Sequence, residues 1–155
     1  MPALSELLAQ EAKLVDDFVA LLSAEQGELK VGRIDALDGL SQRKADLAAQ
    51  LNAAESRRNA WLNAAGLAGD REGMAAWLAA FGGKDAQAAA NWARLLEKAT
   101  EARNLNQLNG QLIALRLSST TQALATLTAQ HQAHSLYGPN GQAAPRTGSR
   151  IIDAA

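Results

Sequence analysis

The sequence predicts an all-α protein: an antiparallel bundle of long helices, made of a two-helix hairpin, a short capping helix and a long C-terminal helix, with a flexible C-terminal tail. Alanine and leucine dominate its 155 residues, and aromatic residues make up only 4% of them. Apolar residues recur at three- and four-residue steps, whereas β-branched residues are too sparse for alternating strands. We expect the helical bundle to cover residues 1–132 and the tail to cover residues 133–155.

The first segment has the pattern of a long amphipathic helix. Apolar residues recur at helical steps from residue 4 to residue 29, which predicts one broad apolar face on a helix of about 28 residues. Gly32 is expected to end this helix. Ser5 is the residue that would cap it if the first turn frays.

The second segment repeats this pattern. Its apolar stripe consists of Leu37, Leu40, Leu47, Leu51, Trp61 and Leu62. The predicted helix begins near Arg33 or Asp35 and extends to Gly66. Because the connection around Gly32 is short, the first two helices are expected to run antiparallel.

The third segment is a short amphipathic stretch between Gly66 and Lys84. Its apolar members are Met74, Trp77, Leu78 and Phe81. We predict a helix of about one to three turns that closes one end of the bundle, because apolar residues at helical spacing usually enter a core. The alternative is that Trp77 and Phe81 form an exposed docking patch.

The last helix is predicted to be the longest. It starts near Asp85, an acceptable N-cap residue, and no proline interrupts it before His131 or Ala133. Its apolar stripe widens over residues 105–117, and a helix that is apolar over so wide an arc needs more than one neighbour. We therefore expect residues 105–117 to belong to the bundle core. Gly110 inside this stretch predicts the close approach of another helix.

Asparagines are dense in the same stretch, at Asn104, Asn106 and Asn109. A buried amide is costly unless its polar atoms are hydrogen-bonded. These side chains are therefore expected to fix the register of the helices inside the bundle. The alternatives are that they contact a partner or face solvent.

Composition and charge exclude several classes of protein. The chain has no cysteine and a net charge of −1, which excludes disulfides and argues against a large basic surface for nucleic acid. The N-terminus lacks a signal-peptide pattern, and no stretch is apolar enough to span a membrane. We expect a soluble, cytoplasmic protein without nucleic-acid binding or stable membrane insertion.

The first helix is the acidic part of the chain. From residue 3 to residue 30 there are six acidic residues and two lysines, a net charge of −4. We interpret this as a solvated outer face that the other helices balance. A dedicated electrostatic docking site is the alternative.

Candidate catalytic or metal-binding groups are sparse. His131 and His134 are spaced so that they can share a helix face, but no carboxylate accompanies them. The glycines around residue 69 match neither a phosphate-binding loop nor a dinucleotide fingerprint. We expect no enzyme activity, no cofactor and no metal.

Four stretches of the chain resemble the FlgN family of flagellar type III export chaperones. They are residues 21–51, residues 55–67, the asparagine-rich residues 104–117, and the LYGPNG sequence that begins at Leu136. The combination that carries the resemblance is Glu25, Lys44, Asn109-Gly110 and Leu136-Tyr137-Gly138.

The resemblance implies a function and a set of partners. It implies a cytoplasmic chaperone that binds hook-filament junction proteins, FlgK and FlgL, and keeps them unassembled. It also implies delivery to the membrane export gate and its associated ATPase components. In that family the client-binding part lies toward the C-terminus and a tail tyrosine docks on the export machinery, which corresponds here to Tyr137.

The predicted partner-binding residues are Ile113, Leu117, Leu124, Leu127, Leu136 and Tyr137. The first four form an apolar stripe that an amphipathic client helix could contact. The alternative is that these residues pack inside the molecule. A rival function is a structural coiled-coil scaffold that self-associates through residues 105–117.

Overall fold

The structure, a computed structural model, describes residues 3–136 and the side chains of residues 3–132. Four helices make up the described chain: α1 (Leu4–Val31), α2 (Leu37–Ala64), α3 (Arg71–Phe81) and α4 (Ala86–Leu136). Residues 3–136 contain no strand, so the predicted all-α fold is confirmed. The chain divides into two compact units, Met1–Leu112 and Ile113–Ala155, and α4 contributes residues to both.

Helix α1 has the predicted length of 28 residues. Its first turn does not fray, so Ser5 lies inside the helix and Ala3 takes the N-cap position instead. The Glu6 carboxylate accepts a hydrogen bond from the Ala3 N–H at 3.4 Å. Gly32 ends the helix as predicted, with φ of 81°, a left-handed conformation that favours glycine.

Helix α2 runs antiparallel to α1, as the short connection predicted. Two ion pairs show the register: Arg58 of α2 pairs with Glu11 near the start of α1, and Lys44 pairs with Glu25 near its end. α2 begins a few residues later than predicted, after Ala36, which supplies no capping side chain.

Helix α3 closes one end of the bundle in the first unit. The Asp70 carboxylate caps it by accepting a hydrogen bond from the Gly73 N–H at 2.9 Å. Met74 and Trp77 are buried, and the Trp77 ring packs edge-on against Trp61 with centroids 6.2 Å apart. The prediction of a capping helix is therefore confirmed. Phe81, at the end of α3, is 48% exposed.

In the first unit, α4 runs parallel to α1. The Asn91 side chain donates a hydrogen bond to the Ser5 carbonyl, and the Asn109 side chain donates one to the Leu22 carbonyl. Asp85 caps the start of α4, as predicted, by accepting a hydrogen bond from the Ala88 N–H at 3.0 Å. The core joins all four helices. Its buried members are Leu4, Leu8, Ala12, Val15, Val19, Leu22, Leu62, Met74, Trp77, Ala88, Trp92, Leu95 and Ala102.

The prediction that residues 105–117 form bundle core is wrong for most of the stretch, because it holds only at Leu105, which packs half-buried against the core, and at the buried Asn109. Of the residues up to 112, only Asn109 is fully buried, and Leu108 is 44% exposed. A Cβ built on Gly110 would meet nothing within 4 Å, so no helix approaches it closely. Farther along, Leu115 and Leu117 are each 67% exposed. Within the first unit, the neighbouring helices cover only the side of α4 that carries Asn109.

Candidate partner-binding surface

The second unit exposes an apolar face on α4. Ile113, Leu117, Leu124 and Leu127 are 47%, 67%, 59% and 61% exposed, respectively. Their spacing of four, seven and three residues places them within about 80° of arc on one side of a helix. We call these four side chains the apolar face. Four of the six predicted partner-binding residues therefore lie together and open to solvent.

The side chains of the other two predicted partner-binding residues, Leu136 and Tyr137, lie outside the described part of the structure. Leu136 is the last residue of α4, and its side chain lies outside the described part of the structure. Tyr137 also lies outside the described residues. Their role stays a prediction.

A threonine occupies the middle of the apolar face. Thr120 is three residues after Leu117 and four before Leu124, so the spacing from Ile113 to Leu127 alternates between four and three residues. This alternation is the 3.5-residue period of helices that pair lengthwise. Thr120 is not among the predicted partner-binding residues, and this spacing is the signal in the sequence that could have identified it.

The threonine hydroxyls near the apolar face are already hydrogen-bonded. Thr120 donates to the Arg116 carbonyl at 3.0 Å, and Thr121 donates to the Leu117 carbonyl at 2.9 Å. The Thr126 and Thr128 hydroxyls likewise donate to the carbonyls four residues earlier, those of Gln122 and Leu124. If a partner covered this surface, these hydroxyl donors would therefore still have their carbonyl acceptors.

Negative charge is missing from this part of the chain. The sequence contains no Asp or Glu from residue 102 to residue 152. Arg116 and the exposed His131 are the ionisable groups among the described side chains of the second unit. The apolar face can therefore accept an amphipathic helix with acidic flanks without charge repulsion.

A buried polar cluster joins three helices of the first unit. The Asn109 Nδ2 donates to the Leu22 carbonyl at 2.8 Å and to the Glu25 Oε1 at 2.9 Å. The Lys44 Nζ lies 3.4 Å from the same Glu25 oxygen. Asn109 is fully buried, so it aligns α4 with α1 as the register hypothesis proposed. Asn104 and Asn106 are exposed instead.

A second buried pair, Glu11 and Arg58, holds α1 to α2. The Arg58 Nη1 lies 2.5 Å from the Glu11 Oε1, and the two residues are only 6% and 5% exposed. Burial raises the pKa of Glu11 above its ordinary value of 4.5, and the charge of Arg58 opposes this rise only in part. The Arg58 guanidinium also stacks over the Trp92 ring, 5.0 Å from its centroid.

These pairs correct the interpretation of the acidic first helix. Glu11 and Glu25 are buried and paired across helices, so they do not belong to a solvated outer face. Asp16 pairs with Arg94 of α4. The exposed Glu6 and the exposed Asp17, which pairs with Lys13 on α1 itself, fit the original description. The other helices do balance the charge of α1, but largely inside the bundle.

The described residues contain neither a group of side chains suited to a metal ion nor a helix suited to span a membrane. Within residues 3–132, no three His, Asp or Glu side chains are grouped so that they could hold a metal ion. No helix in the described part of the chain is both long and apolar enough to cross a membrane.

The structure thus defines an all-α protein whose longest helix carries an exposed apolar face. The chain belongs to the FlgN family, because the sequence model of the FlgN protein family matches residues 1–145. Three of the residues that carried the resemblance, Glu25, Lys44 and Asn109, are in contact in the structure.

Individual relatives agree with this assignment. The flagella synthesis protein FlgN of Salmonella typhimurium is 33% identical over 144 residues, which cover 92% of this chain and 91% of that protein. The flagella synthesis protein FlgN of Escherichia coli is 28% identical over the same shares. No solved structure matches the chain significantly.

Proposed function

We propose that the protein is a flagellar export chaperone of the cytoplasm that binds hook-filament junction proteins of the FlgK and FlgL type. It holds each client unassembled until the client reaches the type III export gate and its associated ATPase components. Its role is stoichiometric and does not involve catalysis. Membership of the FlgN family supports this function, and so do the relatives named flagella synthesis proteins.

The observation that carries the proposal is the apolar face. Burying a largely exposed leucine contributes roughly 1–2 kcal/mol, so four such side chains are a substantial source of affinity. An amphipathic helix of the client packs its own apolar stripe along Ile113, Leu117, Leu124 and Leu127. The alternating spacing favours a helical partner over an extended one, because only a helix repeats its contacts with a similar period.

We further propose that residues 133–155, of which the first four continue α4, form a tail that completes the site. In this account the tail closes beside the bound client, and Tyr137 docks on the export machinery. Ordering such a segment on binding costs about 2–5 kcal/mol. That cost moderates the affinity, which suits a chaperone that must release its client.

Self-association is the second candidate function. The observation that favours it is the same alternating spacing, since two copies of the apolar face could pair without acidic residues to repel or select a partner. Sedimentation equilibrium of the free protein separates the two functions. A monomer supports the chaperone, whereas a tight oligomer that excludes client supports the scaffold.

A matched pair of leucines tests the proposed function. Leu117 and Leu115 are each 67% exposed on α4, but they point about 160° apart around the helix. We expect Leu117→Ala to weaken binding of a purified FlgK-type client about tenfold, measured by calorimetry. Leu115→Ala should change it by less than about twofold. Equal effects of the two substitutions, or no effect of either, would overturn the proposal.

A further inference from the structure

An open groove of about 420 Å³ lies in the first unit, among residues 11–103. Residues of α1, α2 and α4, together with the start of α3, line it. Apolar contacts come from Val15, Leu96 and Ala99, of which the last two are partly exposed. The residues of α4 that line the groove extend from Trp92 to Arg103. This span is about three turns of helix.

Three arginines line this groove. Arg58 lies at its base and is only 6% exposed, yet its Nε has no hydrogen-bond partner among the described residues. Arg71 and Arg103 are exposed on its rim. Neither of these two rim arginines forms an ion pair with any described residue. A buried guanidinium N–H without an acceptor is unfavourable, so Arg58 presents an unmet donor to the groove.

Each of the three acidic residues of the groove has a partner, although the second carboxylate oxygen of Glu11, Oε2, is buried without a hydrogen-bond partner among the described residues. Glu11 pairs with Arg58 through its Oε1, and the Asp70 carboxylate caps α3 through the Gly73 N–H. The Glu55 Oε1 lies 3.8 Å from the Arg58 Nη2. The positive charges left without a partner are therefore those of Arg71 and Arg103.

We propose that this groove is a second protein-docking site, which takes an acidic side chain carried on an amphipathic segment of a partner protein. The partner's carboxylate lies between Arg71 and Arg103, where guanidinium groups bind carboxylates with good geometry. Its apolar neighbours pack on Leu96 and Ala99. A small free carboxylate would gain only the interaction with the arginines. A peptide also buries apolar side chains on Leu96 and Ala99, so the groove favours a peptide.

This docking site is independent of the proposed client site. It is built from residues 11–103, whereas the apolar face is built from residues 113–127. A chaperone with both surfaces could contact two partner segments at once, which raises the effective concentration of the second segment.

Two synthetic peptides provide the test. One is an amphipathic helix with a leucine stripe flanked by glutamates, and the other replaces each glutamate with glutamine. We expect the glutamate peptide to bind the full chain about tenfold more tightly than the glutamine peptide, measured by calorimetry. Amide resonances of Leu96, Ala99 and Thr100 should shift in the ¹⁵N spectrum. Free glutamate should bind far more weakly than the peptide.

Charge reversals locate the site. Arg71→Glu combined with Arg103→Glu should weaken binding of the glutamate peptide about tenfold. Arg43→Glu combined with Arg57→Glu makes the same change of charge at exposed positions of α2 outside the groove, and should change binding by less than about twofold. Leu117→Ala with Leu124→Ala should leave it intact, which separates this site from the client site.

Several outcomes would overturn the docking site. They are no binding of the glutamate peptide, equal binding of the glutamine peptide, and equal losses in the two charge-reversed proteins. Resonance shifts confined to residues 113–127 would do the same, as would free glutamate that binds as tightly as the peptide.

Discussion

The side chains of Asn109 and Glu25 are joined by a hydrogen bond of 2.9 Å although 84 residues separate them in the chain. The Asn109 Nδ2 also donates to the Leu22 carbonyl, and the Glu25 carboxylate also faces the Lys44 ammonium. The buried Asn109 amide therefore aligns α4 with α1. Lys44 of α2 contacts the same Glu25 carboxylate, so all three helices meet at this point. Such specific buried polar contacts select one helix register over its neighbours.

Asn109→Leu should destabilise the protein by about 1–3 kcal/mol. The leucine fills a similar space but leaves the Leu22 carbonyl and the Glu25 carboxylate without this donor. Asn106→Leu, at an exposed position of the same helix, should change the free energy of unfolding by no more than about 0.5 kcal/mol. Urea unfolding of both variants measures this difference. Equal free energies of unfolding would show that Asn109 does not fix the register.

The pH dependence of stability should report the burial of Glu11. Its pKa is raised in the folded protein, chiefly by desolvation, so the folded state holds the proton more tightly than the unfolded chain does. The resulting stabilisation is present below the ordinary pKa of 4.5 and is lost as the pH rises through the raised value. Glu11→Gln removes this titration.

The stability of the wild-type protein relative to Glu11→Gln should therefore fall as the pH rises above the ordinary pKa of 4.5 and through the raised pKa of Glu11. Chemical unfolding of the two proteins at a series of pH values measures the difference. If the two stability curves stay parallel, the Glu11 carboxyl titrates normally in the folded protein and the assigned burial effect is wrong.

Gly110→Ala should stabilise the protein by about 0.5–1 kcal/mol, because alanine is the better helix former and its Cβ meets open space. Gly73→Ala should do the opposite, since a Cβ there would lie 1.7 Å from the Ala68 carbonyl oxygen. Thermal unfolding distinguishes them. A loss of stability in Gly110→Ala would indicate that another helix does approach Gly110.

Tyr137→Ala should leave client binding intact but reduce export in flagellated cells, if Tyr137 contacts the export gate and not the client. Client affinity measured by calorimetry and secreted client measured in the culture medium separate the two roles. Tyr137→Phe keeps the ring and serves as the control. Equal losses of binding and export would place Tyr137 in the client site.

The helices could be predicted from the sequence because their signals are local. Leucine spacing, the stop at Gly32 and the cap at Asp85 each act within one or two turns. Glu11 and Arg58 could not be paired in this way, since their contact depends on the tertiary register of two helices. The stripe over residues 105–117 shows a related limit: periodicity identifies an apolar helix side but not whether a neighbour or solvent covers it.

The apolar face is proposed to receive the client, and the absence of cysteine from the chain allows a direct measurement of this contact. Leu117→Cys and Leu124→Cys each place a single thiol on the apolar face, and Leu115→Cys places one on another side of the same helix. The rate of maleimide labelling is measured for each variant with and without a FlgK-type client. The client should slow labelling about tenfold at residues 117 and 124 and leave residue 115 unchanged. Equal labelling rates at all three positions in the presence of client would show that the client does not cover the apolar face.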